Sequence, residues 1–383
     1  MEHMQKSSLK IMTILGTRPE IIRLSRVMAL LDQYTNHIIV HTGQNYDYEL
    51  NEIFFKDLEL RSPDYFLSVN TASVGTVLGE ILIKTEEVLK KERPDAVLIL
   101  GDTNSSIACI IAKRLKIPIY HMEAGNRCFD LNVPEEINRR IIDHTADFNL
   151  VYTEHARRHL LSEGLPHRKI YLTGSPLFEV LNYYKEKIEQ SNILSQLNLA
   201  NNDYFLFSSH REENVDDPEN LQKILYFLNN LSQKYNKRII VSTHPRTRNR
   251  IEKLSTIKMD KLVEFHKPFG FFDFAKLEQN ACCTISDSGT ISEESSMLHF
   301  PAVTIREASE RPESLDAGSI ILTGLDNDVL LDSIELTLAQ FNSKAPTFTP
   351  YEYMIPNTSW RVAKLIMGTC KLNFKWEGLK PPK

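Results

Sequence analysis

Ala281-Cys282-Cys283-Thr284-Ile285-Ser286-Asp287-Ser288-Gly289-Thr290-Ile291-Ser292-Glu293-Glu294 passes from a short apolar run through a Ser-Gly turn into helical spacing. A strand that ends in such a turn at a helix start aims backbone N–H groups and the positive end of the helix dipole at one spot, which suits a phosphate. Turn chemistry alone also allows Ser288 to be a helix N-cap and Gly289 to be turn punctuation. The same strand-turn-helix grammar recurs along the chain, and that recurrence decides the fold class.

From residue 10 onward, β-rich runs alternate with amphipathic segments of helix length, the pattern of a parallel sheet covered by helices. Predicted strands are Lys10 to Leu15, His37 to His41, Ala96 to Leu100, Ile117 to His121, Phe148 to Tyr152 and Ile170 to Leu172. A second series follows: Tyr204 to Ser208, Arg238 to Ser242, Leu262 to Phe265, Ala281 to Ile285 and Ala302 to Ile305. Between them, Leu177 to Asn202 reads as a long polar helix and loop. The expectation is an α/β protein of two Rossmann-like βα domains, 11–178 and 179–357. A terminal helix, Thr358 to Met367, and its tail complete 358–383 and are expected to pack back on the first domain. Ligands of open α/β sheets bind at the carboxyl ends of strands. Arg18, Asp102, Glu123, His210, His244 and Ser288 all fall at such ends, which predicts parallel sheets facing one central cleft.

Composition narrows the function class. A chain of 383 residues, 42% hydrophobic and 25% charged, is a globular protein of about two domains rather than a disordered one. The net charge of −5 and the lack of a basic stripe argue against a nucleic-acid partner, so an anionic ligand must be caught by local groups. No apolar run nears the roughly 20 residues that span a bilayer, and residues 1–10 lack a signal-peptide core, which predicts a cytoplasmic protein without a membrane partner. Cys109, Cys128, Cys282, Cys283 and Cys370 lack any C-x-x-C spacing and read as reduced thiols. His155 and His159 share a helix face, but the Glu of a His-Glu-x-x-His site is missing, so no metal is expected.

Several strand-end residues carry chemistry or an ordinary structural role equally well. Asp102 precedes Thr103-Asn104-Ser105-Ser106 and fits a helix cap as well as a catalytic carboxylate. Glu123, at the end of Ile119-Tyr120-His121-Met122, is harder to dismiss as capping. Glu135 and Arg139 stand four apart after Pro134, the spacing of a surface ion pair. His210, in Ser208-Ser209-His210-Arg211-Glu212-Glu213-Asn214, fits an acid/base or a phosphate ligand. Phe265 to Phe274 holds five phenylalanines, mostly core by size, with Pro268 and Gly270 making a loop that could face a flat base. Neither G-x-G-x-x-G nor G-x-x-x-x-G-K-[ST] follows a predicted strand, which argues against a tightly held dinucleotide and against nucleoside-triphosphate hydrolysis; no cofactor is expected.

Gly16-Thr17-Arg18-Pro19-Glu20, Gly101-Asp102-Thr103, His121-Met122-Glu123-Ala124-Gly125, Pro134-Glu135-Glu136 with Asn138-Arg139, His210-Arg211-Glu212-Glu213-Asn214, Asp287-Ser288-Gly289 with Glu293-Glu294, and Glu310-Arg311-Pro312-Glu313 together resemble the non-hydrolysing UDP-N-acetylglucosamine 2-epimerase family. The resemblance runs from about Ile11 to Gly324. It implies a GT-B-like fold, a UDP-sugar substrate with UDP as the bound intermediate partner, and a homodimer. Carried over by motif, Asp102, Glu123, Glu135 and His210 would be catalytic, Arg18 would belong to the pyrophosphate and active-site corner, Arg139 would be the active-site arginine, and Arg23 would bind substrate. Ser288, Gly289 and Thr290 would form the phosphate turn, Glu294 would hold the ribose, Arg311 would touch substrate, and Phe269 and Phe274 would cradle uracil. Three departures stand out: Arg23 where the hexosamine enzymes usually have Lys, Thr290 in place of a second Gly, and a shorter approach from Asp130 to Pro134. The charge survives at Arg23, but its fork geometry differs from an ammonium.

The wording of Asn126-Arg127-Cys128-Phe129-Asp130 and Tyr152-Thr153-Glu154-His155-Ala156-Arg157-Arg158 looks most like the capsule and O-antigen branch, which epimerises UDP-2-acetamido-2,6-dideoxy-L-talose to UDP-N-acetyl-L-fucosamine. A UDP-N-acetylglucosamine 2-epimerase, a GT-B glycosyltransferase, a hydrolysing epimerase and a non-catalytic nucleotide-sugar sensor are the alternatives.

Overall fold

The computed structural model describes residues 6–43, 54–243, 247–248, 250–251, 257–345 and 347–380. The chain divides into two compact units, Met1–Val180 with Tyr351–Lys383, and Leu181–Pro350.

The first unit holds a seven-stranded sheet: β1 (Lys10–Leu15), β2 (Asn36–His41), β3 (Tyr65–Phe66), β4 (Ala96–Leu100), β5 (Ile119–Ala124), β6 (Phe148–Val151) and β7 (Ile170–Leu172), in the order β3-β2-β1-β4-β5-β6-β7. Every pairing is parallel. Strands buried on both faces read as continuous apolar runs, and Ala96-Val97-Leu98-Ile99-Leu100 is buried at every position. The sheet core joins Met12, Ile14, Val40, Val97 and Ile99 to Val77, Ile81 and Val88 of the helix Val74–Glu92. Strand order reverses between β1 and β4, so the turns after Leu15 and Leu100 open at the topological switch point where ligands of such sheets bind.

The second unit repeats the plan with six parallel strands, β8 (Tyr204–Ser208), β9 (Arg238–Ser242), β10 (Val263–His266), β11 (Thr284–Ser286), β12 (Ala302–Thr304) and β13 (Ile321–Leu322), in the order β10-β9-β8-β11-β12-β13. Its switch point lies between β8 and β11, beside His210 and Ser288.

Several sequence expectations change in detail. The strand expected over Ile117 to His121 begins after Pro118 and continues through Ala124, so Glu123 lies inside β5 rather than beyond it. The strand expected over Ala281 to Ile285 starts only at Thr284. Residues 177–202 form three short helices, Leu177–Tyr183, Lys185–Glu189 and Ile193–Gln196. The last helix runs Thr358–Trp376, past Met367, because nothing interrupts it before Gly378 at φ +63° and because Cys370 and Asn373 bury its continuation. It packs on the helix Arg18–Tyr34 through Trp360 and Tyr34, and its Thr369 hydroxyl meets the Tyr120 hydroxyl at 2.6 Å.

Candidate functional site

In the first unit the chain leaves β1 through Gly16-Thr17 and enters the Arg18 helix with Pro19 in its first turn, as suits a residue without an N–H. Glu20 ties this corner: its carboxyl accepts from Gly16 N–H at 3.0 Å, Thr17 Oγ1 at 2.7 Å and Thr103 Oγ1 at 3.1 Å. Complete burial lifts its carboxyl to about 7, against the pull of those hydrogen bonds. Arg18 lies over the Phe54 ring at 4.5 Å.

Asp102 follows Gly101 at the end of β4. It does not cap the succeeding 3-10 turn, whose N-cap is Thr103; its Oδ2 accepts instead from Arg139 Nε at 2.7 Å. Glu123 sits in the left-handed region at φ +67°, where the register of β5 against β6 slips between Met122 and Ala124. Such a conformation in a non-glycine residue is uncommon, and it persists where the surroundings over-determine it. Its Oε2 meets Arg23 Nη1 at 2.5 Å and its Oε1 the Asn126 amide at 3.3 Å. Gly125 must be glycine: at φ +80°, a Cβ there would stand 2.4 Å from the Ala156 carbonyl oxygen.

The helix Pro134–Thr145 supplies Arg139 from its buried face. Glu135 lies half-buried in its first turn, but the hub is its neighbour Glu136, wholly buried. Glu136 accepts from Cys128 N–H at 3.0 Å, Arg139 Nη1 at 3.2 Å and Arg140 Nη2 at 3.0 Å. Burial opposes its ionisation, yet these donors hold the carboxyl below its ordinary range. The first unit therefore gathers Arg23 with Glu123 and Arg139 with Asp102, each pair joining different elements.

In the second unit Asp287, fully buried, organises the turn after β8. It accepts from the Ser209 hydroxyl at 2.7 Å, from His210 and Arg211 N–H at 3.1 Å and from the Asn214 amide at 3.0 Å. Burial works against its ionisation, but the nearby His210 ring and these donors more than offset it and hold the carboxyl low. His210 itself is exposed, its Nδ1 3.2 Å from Asp287 Oδ1.

Ser288 is not the helix N-cap. The helix Ile291–Leu298 starts later, with Thr290 as cap, and Ser288 Oγ accepts from Thr290 N–H at 3.3 Å. The Thr290 hydroxyl meets Ser288 Oγ at 2.8 Å and donates to Glu294 Oε2 at 2.9 Å, so the phosphate-turn residues and the expected ribose carboxylate form one cluster. A Cβ on Gly289 would stand 2.5 Å from Glu310 Oε1, whose carboxylate pairs with buried Arg306. Arg311 is also buried and pairs with buried Glu293 at 2.8 Å. Phe269 and Phe274, both partly exposed, rest on a core patch of Tyr204, Leu206, Ile240 and Leu277. His244 lies outside the described residues.

Sequence reasoning passed over Glu20, Glu136, Asp287 and Glu278. Glu278, on the helix Phe271–Asn280, is fully buried with no hydrogen-bond partner on either oxygen among the described residues; burial first and the charge of Glu294 second raise its carboxyl well above the ordinary range. The available signal for Glu136 and Asp287 was an acidic residue beside each motif residue chosen. No helix among the described residues is long and apolar enough to cross a membrane.

A family model described as UDP-N-acetylglucosamine 2-epimerase matches residues 30–367. The structure of UDP-N-acetylglucosamine 2-epimerase from Rickettsia bellii is 46% identical, at a TM-score of 0.90 over 96% of this chain and 99% of that one. Methanocaldococcus jannaschii UDP-GlcNAc 2-epimerase, solved in complex with UDP-GlcNAc and UDP, is 36% identical at a TM-score of 0.87 over 94% of this chain and 100% of that one. A Pseudomonas aeruginosa UDP-2,3-diacetamido-2,3-dideoxy-D-glucuronate 2-epimerase is 35% identical over 87% of this chain and 93% of its own length. The MurG structure from Acinetobacter baumannii, 15% identical at a TM-score of 0.55 over 95% of this chain and 100% of that one, shares the GT-B-like fold alone. With two parallel α/β sheets of this fold and a family match across most of its length, the chain belongs to the UDP-N-acetylglucosamine 2-epimerase family and is a nucleotide-sugar 2-epimerase, an isomerase.

Proposed function

We propose that the chain interconverts UDP-N-acetylglucosamine and UDP-N-acetylmannosamine by elimination and re-addition of UDP. None of the relatives named above is an L-fucosamine enzyme, and two of them are UDP-GlcNAc 2-epimerases, so this reading displaces the L-talose substrate expected from the Asn126 to Asp130 wording. The observation that supports the chemistry is the pair Asp102 and Glu123, at the ends of adjacent strands, each salt-bridged to an arginine from another element.

The C2 hydrogen of a 2-acetamido sugar is not α to a carbonyl, so its direct removal as a proton is very costly. Departure of UDP from C1 must lead or accompany it: oxocarbenium character at C1 makes C2–H acidic. Loss of the C2 proton to a carboxylate and of the C1–O bond electrons to UDP leaves a 2-acetamidoglycal. Re-addition of UDP at C1, with a proton delivered to the other face of C2, gives the epimer. Asp102, Glu123 and Glu135 are the proposed proton carriers, and His210 the group that hydrogen-bonds the leaving phosphate. Arg18, Arg23 and the Ser288-Gly289-Thr290 turn would stabilise the charge growing on UDP, with Glu294 on the ribose and Phe269 and Phe274 on the uracil.

NMR of UDP-N-acetylglucosamine incubated with the protein in deuterated water tests the proposal. The expected product is UDP-N-acetylmannosamine carrying deuterium at C2. Epimerisation with full retention of the original hydrogen overturns the elimination route. No reaction here, together with conversion of UDP-2-acetamido-2,6-dideoxy-L-talose, restores the L-fucosamine reading.

A further inference from the structure

One wholly buried carboxylate of the first unit has no part in the chemistry above, yet it grips the backbone beside the residues that do. Asp143, seven positions after Glu136 on the same helix, accepts from Gly125 N–H at 3.1 and 3.2 Å to its two oxygens and from Arg127 Nη1 at 2.7 Å. Its Oδ1 also lies 2.9 Å from His121 Nδ1, at hydrogen-bond distance but out of hydrogen-bond alignment. The other ring nitrogen, Nε2, lies 3.0 Å from the Gly101 carbonyl. A carbonyl only accepts, so Nε2 carries the hydrogen and donates it. Arg127 cannot swing away, because its fork is held by both Glu163 oxygens at 2.7 Å and its Nη1 by the Asn126 carbonyl at 2.7 Å.

The two backbone points held this way flank the proton-transfer residues. Gly101 immediately precedes Asp102, and Gly125 stands two residues after Glu123. Gly101, Glu123 and Gly125 all lie at positive φ, +70°, +67° and +80°. The two glycines adopt such angles at no cost, but Glu123 keeps its own only because neighbouring groups enforce it. His121 holds the first segment and Asp143 the second, and the two side chains lie 2.9 Å apart.

We infer that His121 and Asp143 are positioning residues for the epimerisation: through the Gly101 carbonyl and the Gly125 N–H they fix where Asp102 and Glu123 present their carboxylates. This rests on the reading of Asp102 and Glu123 as proton carriers. A purely structural role would lower the melting temperature and leave turnover per folded molecule intact.

The test compares His121→Phe and His121→Gln with wild type in the full chain. It measures kcat and KM on UDP-N-acetylglucosamine, UDP affinity by calorimetry, and hydrogen exchange at 101–103 and 123–127. A misplacement on the order of 1 Å is costly, so His121→Phe should lose about 100-fold in kcat. KM and UDP affinity should stay within about threefold. Exchange should quicken at both segments. His121→Gln, whose amide N–H can reach the Gly101 carbonyl, should recover most of kcat. Unchanged kcat in His121→Phe overturns the inference, and so does an equal loss in both variants, since the donor to Gly101 would then not be the cause. Should His121→Phe fail to fold, Asp143→Asn takes its place, with a kcat loss of at least about tenfold expected at unchanged UDP affinity and no loss overturning the inference. A wild-type protein that converts no UDP-2-acetamido sugar overturns the functional reading instead; the exchange rates then decide, and unchanged protection at 101–103 and 123–127 overturns the positioning role.

Discussion

Asp102 and Glu123 in the first unit stand partly exposed, each salt-bridged to an arginine from a distant element, whereas Asp287 in the second unit is wholly buried and collects hydrogen bonds from a loop. The first cluster turns carboxylates outward and steadies them with buried cations. The second turns its carboxylate inward, so that His210 is left exposed beside the half-buried Ser288-Gly289 turn. Proton transfer needs acids held in place but reachable, and anion binding needs donors held in place. The fold can meet either need from the same kind of position, the carboxyl end of a strand, according to which side of the turn receives the negative charge.

The largest expected effect comes from breaking the second arrangement at its centre. Asp287→Ala leaves the Ser209 hydroxyl, two N–H groups and the Asn214 amide without their acceptor; the hydroxyl and the amide belong to buried residues, and each so stranded costs about 1–3 kcal/mol, so a total of about 2–6 kcal/mol is expected in denaturant unfolding. The acid branch should change too. A carboxyl held below its ordinary value of 3.8 contributes stability above that pH and loses it as pH falls through the lower folded value. The variant should therefore lack part of the wild-type loss of stability below about pH 4. UDP affinity should fall with it. A variant as stable as wild type would show that Asp287 does not organise the turn.

Asp102→Asn and Glu123→Gln probe the first arrangement. Each should lower kcat by about 100-fold or more, a general acid–base contribution, with UDP affinity nearly intact. Steady-state epimerisation and calorimetry read the two quantities separately. If both variants turn over at the wild-type rate, the outward-facing carboxylates are only partners for Arg139 and Arg23.

The strand-end positions of Asp102, Glu123, His210 and Ser288 were legible in the sequence; Asp287 as the hub of the second cluster, and the partnerships in both, were not. Lys10–Leu15, Ala96–Leu100 and Tyr204–Ser208 stand out because strands buried on both faces are near-continuous apolar runs, so the strand ends after them follow directly. Tyr65–Phe66 and Ile321–Leu322 are two-residue edge strands, too short for any periodicity. Glu135 and Arg139 have the spacing of a local pair, but the loop before Pro134 brings Cys128 onto Glu136, and Arg139 reaches Asp102 at 37 positions' remove. Asp287 is separated from its partners in 209–214 by more than seventy residues, and no local spacing encodes such a contact.

Glu20 sharpens the comparison on the pH axis. Its folded value of about 7 lies above the ordinary 4.5, the opposite of Asp287. Stability is therefore full below about pH 4.5 and falls as pH rises toward 7, because the unfolded chain releases this proton first. Glu20→Gln removes that proton equilibrium. Relative to wild type it should gain on the order of 2 kcal/mol between pH 5 and pH 8, with the neutral amide replacing the neutral acid. Melting temperatures of both proteins across that range decide it, and parallel curves would mean that Glu20 ionises as freely in the fold as in the unfolded chain.

The smallest effect is expected at Thr290, where the family resemblance leads one to expect a second glycine. Thr290 has φ −85°, a conformation that needs no glycine, and its hydroxyl bridges Ser288 and Glu294. Thr290→Gly loses that bridge and adds chain entropy to the unfolded state, together about 1 kcal/mol, or roughly 2–4 °C in the melting temperature of a unit this size. If the second cluster binds its anion through backbone donors, UDP affinity should change less than about threefold, because those N–H groups remain. Glu294→Ala, by contrast, should erase any preference for UDP over 2′,3′-dideoxy-UDP, since no carboxylate is left to meet a ribose hydroxyl. Calorimetric titration of both nucleotides into both variants separates the cases. A tenfold or greater loss of UDP affinity in Thr290→Gly would mean that the threonine hydroxyl itself grips the phosphate, and the contrast between a side-chain site in the first unit and a backbone site in the second would fail at this residue.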